Sequence, residues 1–144
     1  MNGPVLVSAC LLGIPCRFDG MGKPHPGVVE LAREKVLIPV CPEQLGGLPT
    51  PRLRTVFCGN LLRDESGCDV TSFFERGAAA TLEIARLSGA TCAIMKEKSP
   101  SCGVEWVYSM RNGRETLVPG MGITTELLKK NGITVYSENL LAGI

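Results

Sequence analysis

The chain has 144 residues, a formal charge of +1, 20% charged and 44% hydrophobic residues, a size that fits a single domain, residues 1–144, with a core of its own. So even a balance gives no field for holding nucleic acid or an anionic membrane, and no basic arm is present for either. No apolar stretch approaches the roughly 20 residues that span a bilayer, and the opening Met1-Asn2-Gly3-Pro4 lacks the features of a signal peptide, so the sequence reads as soluble and cytoplasmic.

In chain order, Pro4 to Ala9 predicts a short buried strand, apolar and valine-rich, followed by a glycine-containing loop. Val28 to Lys35 predicts a short helix. Val36 to Val40 predicts a second strand, with Pro39 placing it near an edge or a bulge. Pro42 to Pro51 reads as a Gly/Pro-rich loop. Thr55 to Val70 predicts a hairpin turning around Asp64-Glu65-Ser66-Gly67. Ser72 and Glu75 have capping-box spacing, ahead of Phe74, Ala78, Leu82 and Ala85 at helical spacing and a stop at Gly89. Thr91 to Met95 predicts a third strand, and Trp106 to Val118 a hairpin turning at Arg111-Asn112-Gly113. Thr124 to Lys130 predicts a helix and Ile133 to Ser137 the last core strand. Alternating strands and helices imply an α/β fold, a small, mostly parallel sheet of about four strands flanked by helices, with two inserted β-hairpins.

Seven cysteines in a reducing compartment point to metal binding or catalysis rather than a disulfide framework. Cys92, Cys58 and Cys68 read as small buried hydrophobes. The other pattern is positional. Cys10 and Cys41 each end an apolar run, and Cys102 follows the run from Cys92 after the turn Ser99-Pro100-Ser101. If those runs are parallel strands, the three thiols meet at the sheet edge where open α/β sheets bind ligands. Three thiolates without a fourth protein ligand suggest a metal centre with one open position.

Around them lie further polar groups. Cys41-Pro42-Glu43 puts a thiol and a carboxyl two residues apart, on one side of an extended chain. Taken alone, Glu43 reads as well as a cap for a helix start. Ser99 and Ser101 are ordinary turn residues, and a structural role suits Ser101 best. Arg17, Asp19, Arg52 and Lys96 read as either a solvated charge set or a satisfied ion-pair network, and Lys96 is also placed to neutralise an anionic substrate or cluster. Trp106 reads as hairpin packing, and His25, between Pro24 and Pro26, as an exposed loop residue.

Several phrases recur together. They are Ser8-Ala-Cys-Leu-Leu-Gly13, Arg17-Phe-Asp-Gly20, Cys41-Pro-Glu-Gln-Leu-Gly-Gly-Leu-Pro-Thr-Pro-Arg52, Asp69-Val-Thr71, Lys96 with Ser99-Pro-Ser-Cys-Gly103, and Asn131-Gly-Ile-Thr-Val-Tyr-Ser-Glu138. In this order and combination the chain resembles the thiouracil desulfurases, a bacterial family formerly without known function. The resemblance implies a [4Fe–4S] cluster held by Cys10, Cys41 and Cys102, with the fourth iron left for the sulfur of a thiolated pyrimidine. It implies Glu43 as catalytic acid/base and Ser99 as a substrate-positioning residue. Iron–sulfur clusters normally take four thiolates, so three leave an open, oxygen-sensitive iron. On this expectation water replaces sulfur in a thiolated nucleobase with no net redox change, and a thiol or reductant later accepts the sulfur. The chain departs from the family's pattern at Phe18, where tyrosine is common, and at Cys16, a loop position not generally cysteine and not carried over as a ligand.

Two other readings compete. One is a structural zinc site of Cys10, Cys41, Cys102 and His25, although zinc usually draws on Cys-x-x-Cys pairs that this chain lacks. The other is a sulfur-relay enzyme carrying a persulfide on one reactive thiol, with Cys102 in its turn the natural carrier.

Overall fold

A computed structural model describes residues 3–144. Four parallel strands form the main sheet in the order β2-β1-β5-β8. They are β1 (Val5–Ser8), β2 (Leu37–Val40), β5 (Cys92–Met95) and β8 (Thr134–Ser137). The two central strands, β1 and β5, are buried at every position, as their continuous apolar sequence requires. β2 lies at an edge, where Pro39 removes no needed ladder bond.

Because side chains alternate along a strand, the sheet divides the core in two. Leu6, Ala93 and Met95 face one way and pack with Leu82 and Ala85 of α3 (Thr71–Ser88) and Leu128 of α4 (Ile123–Lys130). Val5, Val7, Cys92 and Ile94 face the other way, toward the 3₁₀ turn Ala9–Leu12 and Val28 of α1 (Pro26–Leu31). No described helix is long and apolar enough to cross a membrane.

Two hairpins stand outside this layer. One joins β3 (Thr55–Cys58) to β4 (Leu61–Asp64), and the other β6 (Trp106–Arg111) to β7 (Arg114–Pro119). Both are inserted in the parallel frame as expected, and they also join: β3 pairs in parallel with β6, giving a second four-stranded sheet in the order β4-β3-β6-β7. Sequence-local turns set each hairpin, and nothing local announces their pairing with each other.

Four local expectations shift. α1 starts two residues early, at Pro26, because His25 acts as its N-cap, with Nδ1 accepting from the Val28 N–H at 3.3 Å. The expected loop after Cys41 begins as a short helix, α2 (Pro42–Leu45), with Pro42 at its first position. The first hairpin turns at Gly59-Asn60, and Asp64 instead builds a second turn by accepting from the Ser66 and Cys68 N–H groups. Ser72 does not cap α3. Thr71 is its first residue, and Asp69 Oδ1 accepts from both the Thr71 N–H and hydroxyl. Thr71 Oγ1 in turn accepts from the Leu62 N–H, tying the helix start to β4.

Two glycines let α2 seat on α3. A Cβ on Gly46 would collide with the Phe73 carbonyl, and a Cβ on Gly77 with the Pro42 carbonyl. Glycine inside a helix costs about 0.5–1 kcal/mol relative to alanine, and the close approach is what that cost secures. It fixes the segment carrying Cys41 and Glu43 against the longest helix of the fold.

Candidate active site

The chain leaves β1 for β2 on one side, and β5 takes the other side. The gap at the carboxyl ends of these strands is therefore the switch point where open α/β sheets bind ligands. A cavity of about 360 Å³ opens there, lined by Cys10, Cys16, Cys41, Glu43, Ser99 and Cys102 among others. That volume is within the range of small-molecule sites. Cys10 comes from the turn after β1 and Cys41 is the N-cap residue of α2. Cys102 lies in the loop after β5, where Gly122 lets the α4 start lie directly on the Ser101 backbone.

Hydrogen bonds to two side chains, Glu97 and Ser99, shape that loop from within. The carboxylate of Glu97, 4% exposed, accepts at Oε1 from the N–H groups of Val104, Glu105 and Trp106 at 2.7, 2.9 and 3.0 Å. Burial works to raise the Glu97 pKa, but those backbone donors outweigh it and hold the group below its ordinary value. Ser99 Oγ accepts from the Ser101 and Cys102 N–H groups, so its first role is to shape the turn that presents Cys102.

Glu43 does not share a strand face with Cys41, because α2 begins between them. Arg52 links them instead. Its Nε donates to Glu43 Oε1 at 2.9 Å, and its Nη2 to the Cys16 carbonyl at 2.9 Å, with Cys41 Sγ at 3.9 Å. Nη1 donates to the Pro49 carbonyl and Thr50 Oγ1. The second carboxylate oxygen, Oε2, accepts from Ser101 Oγ at 3.1 Å. Ser101 Oγ also lies 3.0 Å from Ser99 Oγ and 3.4 Å from Cys102 Sγ. Ser101, read from sequence as a structural turn residue, thus stands between the carboxyl and a thiol. Arg52, offered by the sequence as a solvated charge or a member of a satisfied ion-pair network, is the second, with Glu43 as its partner. Its bridging role depends on a chain fold-back that local sequence does not specify.

The remaining charges form pairs. Lys96 Nζ lies 3.4 Å from Glu138 and donates to the Glu97 carbonyl at 2.9 Å, while Arg17 lies 3.7 Å from Asp19. Both cations line the cavity and are also satisfied ion pairs. Trp106 is 42% exposed and belongs to β6 rather than to the cavity wall. Cys92 is buried as expected, whereas Cys58 is only half-buried and Cys68 is exposed.

The thiols differ in charge. Burial raises the Cys10 pKa to about 11, opposed by the Lys96 ammonium. Burial likewise raises Cys102 to about 12, against the Ser101 and Ser8 hydroxyls. Cys41 goes the other way, to about 6, because the neighbouring Cys16 thiol favours its thiolate; burial opposes this, and the Gln44 N–H and Arg52 reinforce it. The same pairing drives the Cys16 pKa up.

His25 is spent as a helix cap and lies outside the thiol cavity, which removes the imidazole from the zinc reading. Among the described residues no three His, Cys, Asp or Glu side chains are close enough to share a single metal ion. Thiols on one zinc, each about 2.3 Å from it, would have to crowd together. Thiolates serving different irons of one cluster need not, so this all-sulfur donor set fits a cluster better than an ion.

A family model described as 2-thiouracil desulfurase matches residues 5–139. The chain belongs to the 2-thiouracil desulfurase family. A solved structure of this kind, the "[4Fe-4S]-dependent thiouracil desulfidase TudS (DUF523Vcz)", superposes with a TM-score of 0.88 at 42% identity, covering 97% of this chain and 93% of that one. A Bacillus subtilis (strain 168) relative carrying the name "Uncharacterized protein YbbK" is 39% identical over 97% of this chain and 99% of its own. In this desulfurase-family chain the α/β fold extends over both sheets.

Proposed function

We propose that this chain removes the sulfur of a thiolated pyrimidine, of the 2-thiouracil to uracil type, with a [4Fe–4S] cluster held by Cys10, Cys41 and Cys102. The observation that carries this reading is the meeting of three thiols from adjacent parallel strands in one cavity that also holds Glu43. The cluster, when bound, would supply an iron without a protein ligand, a Lewis acid suited to a sulfur atom. The name of the similar TudS structure agrees with that cofactor and that substrate.

The net change, C=S plus water giving C=O plus sulfide, moves protons and no electrons, so the chain's own task is proton handling and orientation. Arg52 fixes Glu43 through Oε1, leaving Oε2 and the Ser101 hydroxyl beside it as the place where a proton is exchanged. Ser99, bonded to Ser101, orients the substrate from the turn. Lys96 offsets negative charge that develops in the cavity. The sulfur leaves at the sulfide level as hydrogen sulfide, carrying the two protons of the water whose oxygen enters the ring carbonyl. Free cysteines throughout the described chain suit a reducing cytoplasm.

The test is iron and acid-labile sulfide per chain after anaerobic reconstitution, beside serine replacements of Cys10, Cys41 and Cys102 and a 2-thiouracil turnover assay. About four of each per chain, lost in all three variants, and turnover lost with Glu43→Gln while iron is kept, are the expected results. Zinc in place of iron, iron uptake indifferent to these cysteines, or sulfur transfer that depends on Cys102 alone would refute it.

A further inference from the structure

The sequence phrase that ends at Glu138 plays no part in the proton exchange at Glu43. Yet Glu97 and Glu138 are the two buried carboxylates among the described residues, and Glu138 is 6% exposed. Strand register brings it to Lys96. β5 and β8 pair in parallel with Met95 opposite Ser137, so the next step sets Lys96 beside Glu138. Both continue the sheet face of Ile94 and Tyr136, where Cys10 also packs. Glu138 Oε2 lies 3.4 Å from Lys96 Nζ, and Oε1 accepts from the Glu97 N–H at 2.8 Å. Lys96 Nζ also donates to the Glu97 carbonyl at 2.9 Å, and the Lys96 N–H donates to Ser8 Oγ at 2.9 Å. The Lys96 backbone is thus tied to β1, while its flexible four-carbon stem depends on the partners of its head group.

A second cavity of about 280 Å³ shares Lys23, Lys96, Glu97 and Lys98 with the thiol cavity. Glu138 lines the second cavity and not the first. It therefore acts on the thiol cavity only through the lysine it holds. We propose that Glu138 is a positioning residue that keeps the Lys96 ammonium turned toward the thiol cavity. Without that carboxylate, a half-buried ammonium is left with one carbonyl for a partner, which compensates its lost hydration poorly. The stem then carries the charge out to water, as it does at the exposed Lys23 and Lys98. The placement of Lys96 rests on the ion pair and the register; its use in turnover rests on the desulfuration reading.

The experiment labels the full-length, cluster-free protein with trace acetic anhydride and reads the rate at each lysine by peptide mass spectrometry. Wild type, Glu138→Gln and Glu138→Asp are compared, with Lys23 and Lys98 as references. Glutamine keeps an oxygen for the Glu97 N–H but turns an amide nitrogen to Lys96, so the loop contact stays and the ion pair goes. Lys96 is expected to react more slowly than both references in wild type. In Glu138→Gln it is expected to gain about tenfold on them, the scale of one hydrogen bond to a charged group. Glu138→Asp, which keeps the charge on a shorter arm, is expected to fall between, and it carries the test if the glutamine variant does not fold. A Lys96 rate unchanged in a folded variant, or equal to the references in wild type, overturns the proposal. Turnover of 2-thiouracil by reconstituted protein is a separate readout. Lys96→Met and Glu138→Gln are each expected to lower kcat with KM kept, and the double variant to lose no more than Lys96→Met alone. Losses that multiply would make Glu138 act independently of Lys96 and overturn the positioning role. The expected labelling in a chain that turns over no 2-thiouracil would sink the desulfuration reading and leave the placement of Lys96 by Glu138 standing.

Discussion

Arg52 carries a large share of the site's architecture, and its replacement separates that role from an ordinary surface charge. Its side chain is 6% exposed and that of Glu43 14%, so neither partner is well hydrated. Four of its hydrogen bonds are 3.1 Å or shorter, to Glu43, Pro49, Thr50 and Cys16. Breaking a buried pair by removing one partner costs about 3–5 kcal/mol, because the other charge stays behind. In a chain of this size about 3 °C of melting temperature follows each kcal/mol, so Arg52→Met is expected to lower the melting temperature of cluster-free protein by about 10–15 °C. Arg52→Lys recovers little, since one ammonium cannot serve carbonyls and a carboxylate set in a planar fork. Combining Arg52→Met with Glu43→Gln removes both charges, so the double variant loses less than the sum of the singles, by about 1–3 kcal/mol. The assay is urea and thermal unfolding of all four proteins without cluster, which keeps cofactor binding out of the stability. Strict additivity, or an Arg52→Met protein melting with wild type, would refute the linkage of Glu43 to Cys41 through Arg52.

Gly77→Ala tests the seating of α2. Helix propensity alone would gain up to ~1 kcal/mol, but the new Cβ meets the Pro42 carbonyl, and forced backbone movement costs about 1–3 kcal/mol; lower stability and lower turnover are expected together, and an unchanged or raised melting temperature with full turnover would show that the helices part without effect. Glu97 tests the loop of Cys102. Its pKa is held below the ordinary value of 4.5, so its contribution is fully present above that value and is lost as pH falls through the lowered one. Glu97→Gln is expected to destabilise by about 1–3 kcal/mol at neutral pH, and the gap from wild type in urea unfolding should narrow as the pH falls below the ordinary carboxylate value; a gap that widens on acidification would contradict the assigned sign.

What the sequence determined by itself was the parallel frame and the family to which the chain belongs. Runs such as Val5 to Ser8 and Cys92 to Met95 are buried at every position, as short apolar runs covered on both faces are, and Cys10 and Cys41 closely follow β1 and β2, whereas Cys102 reaches the same cavity only through the loop that Glu97 and Ser99 shape. The tail of the sequence pattern, Asn131 to Glu138, likewise lands as β8 and its carboxylate, which pairs with Lys96. Helix starts were less legible because residues other than the expected ones hold them: His25 caps α1, and at α3 Thr71 is engaged by Asp69 two residues before it and by the Leu62 N–H of β4, with Ser72 only adjacent. The union of the two hairpins, the bridging reach of Arg52 and the contact of Cys16 with Cys41 were decided by tertiary structure alone. Each joins residues well apart in the chain, such as Phe57 with Ser109 or Arg52 with Cys16. Periodicity and turn chemistry act over a few residues, whereas these contacts form only when packed layers bring separate loops to one edge of the sheet.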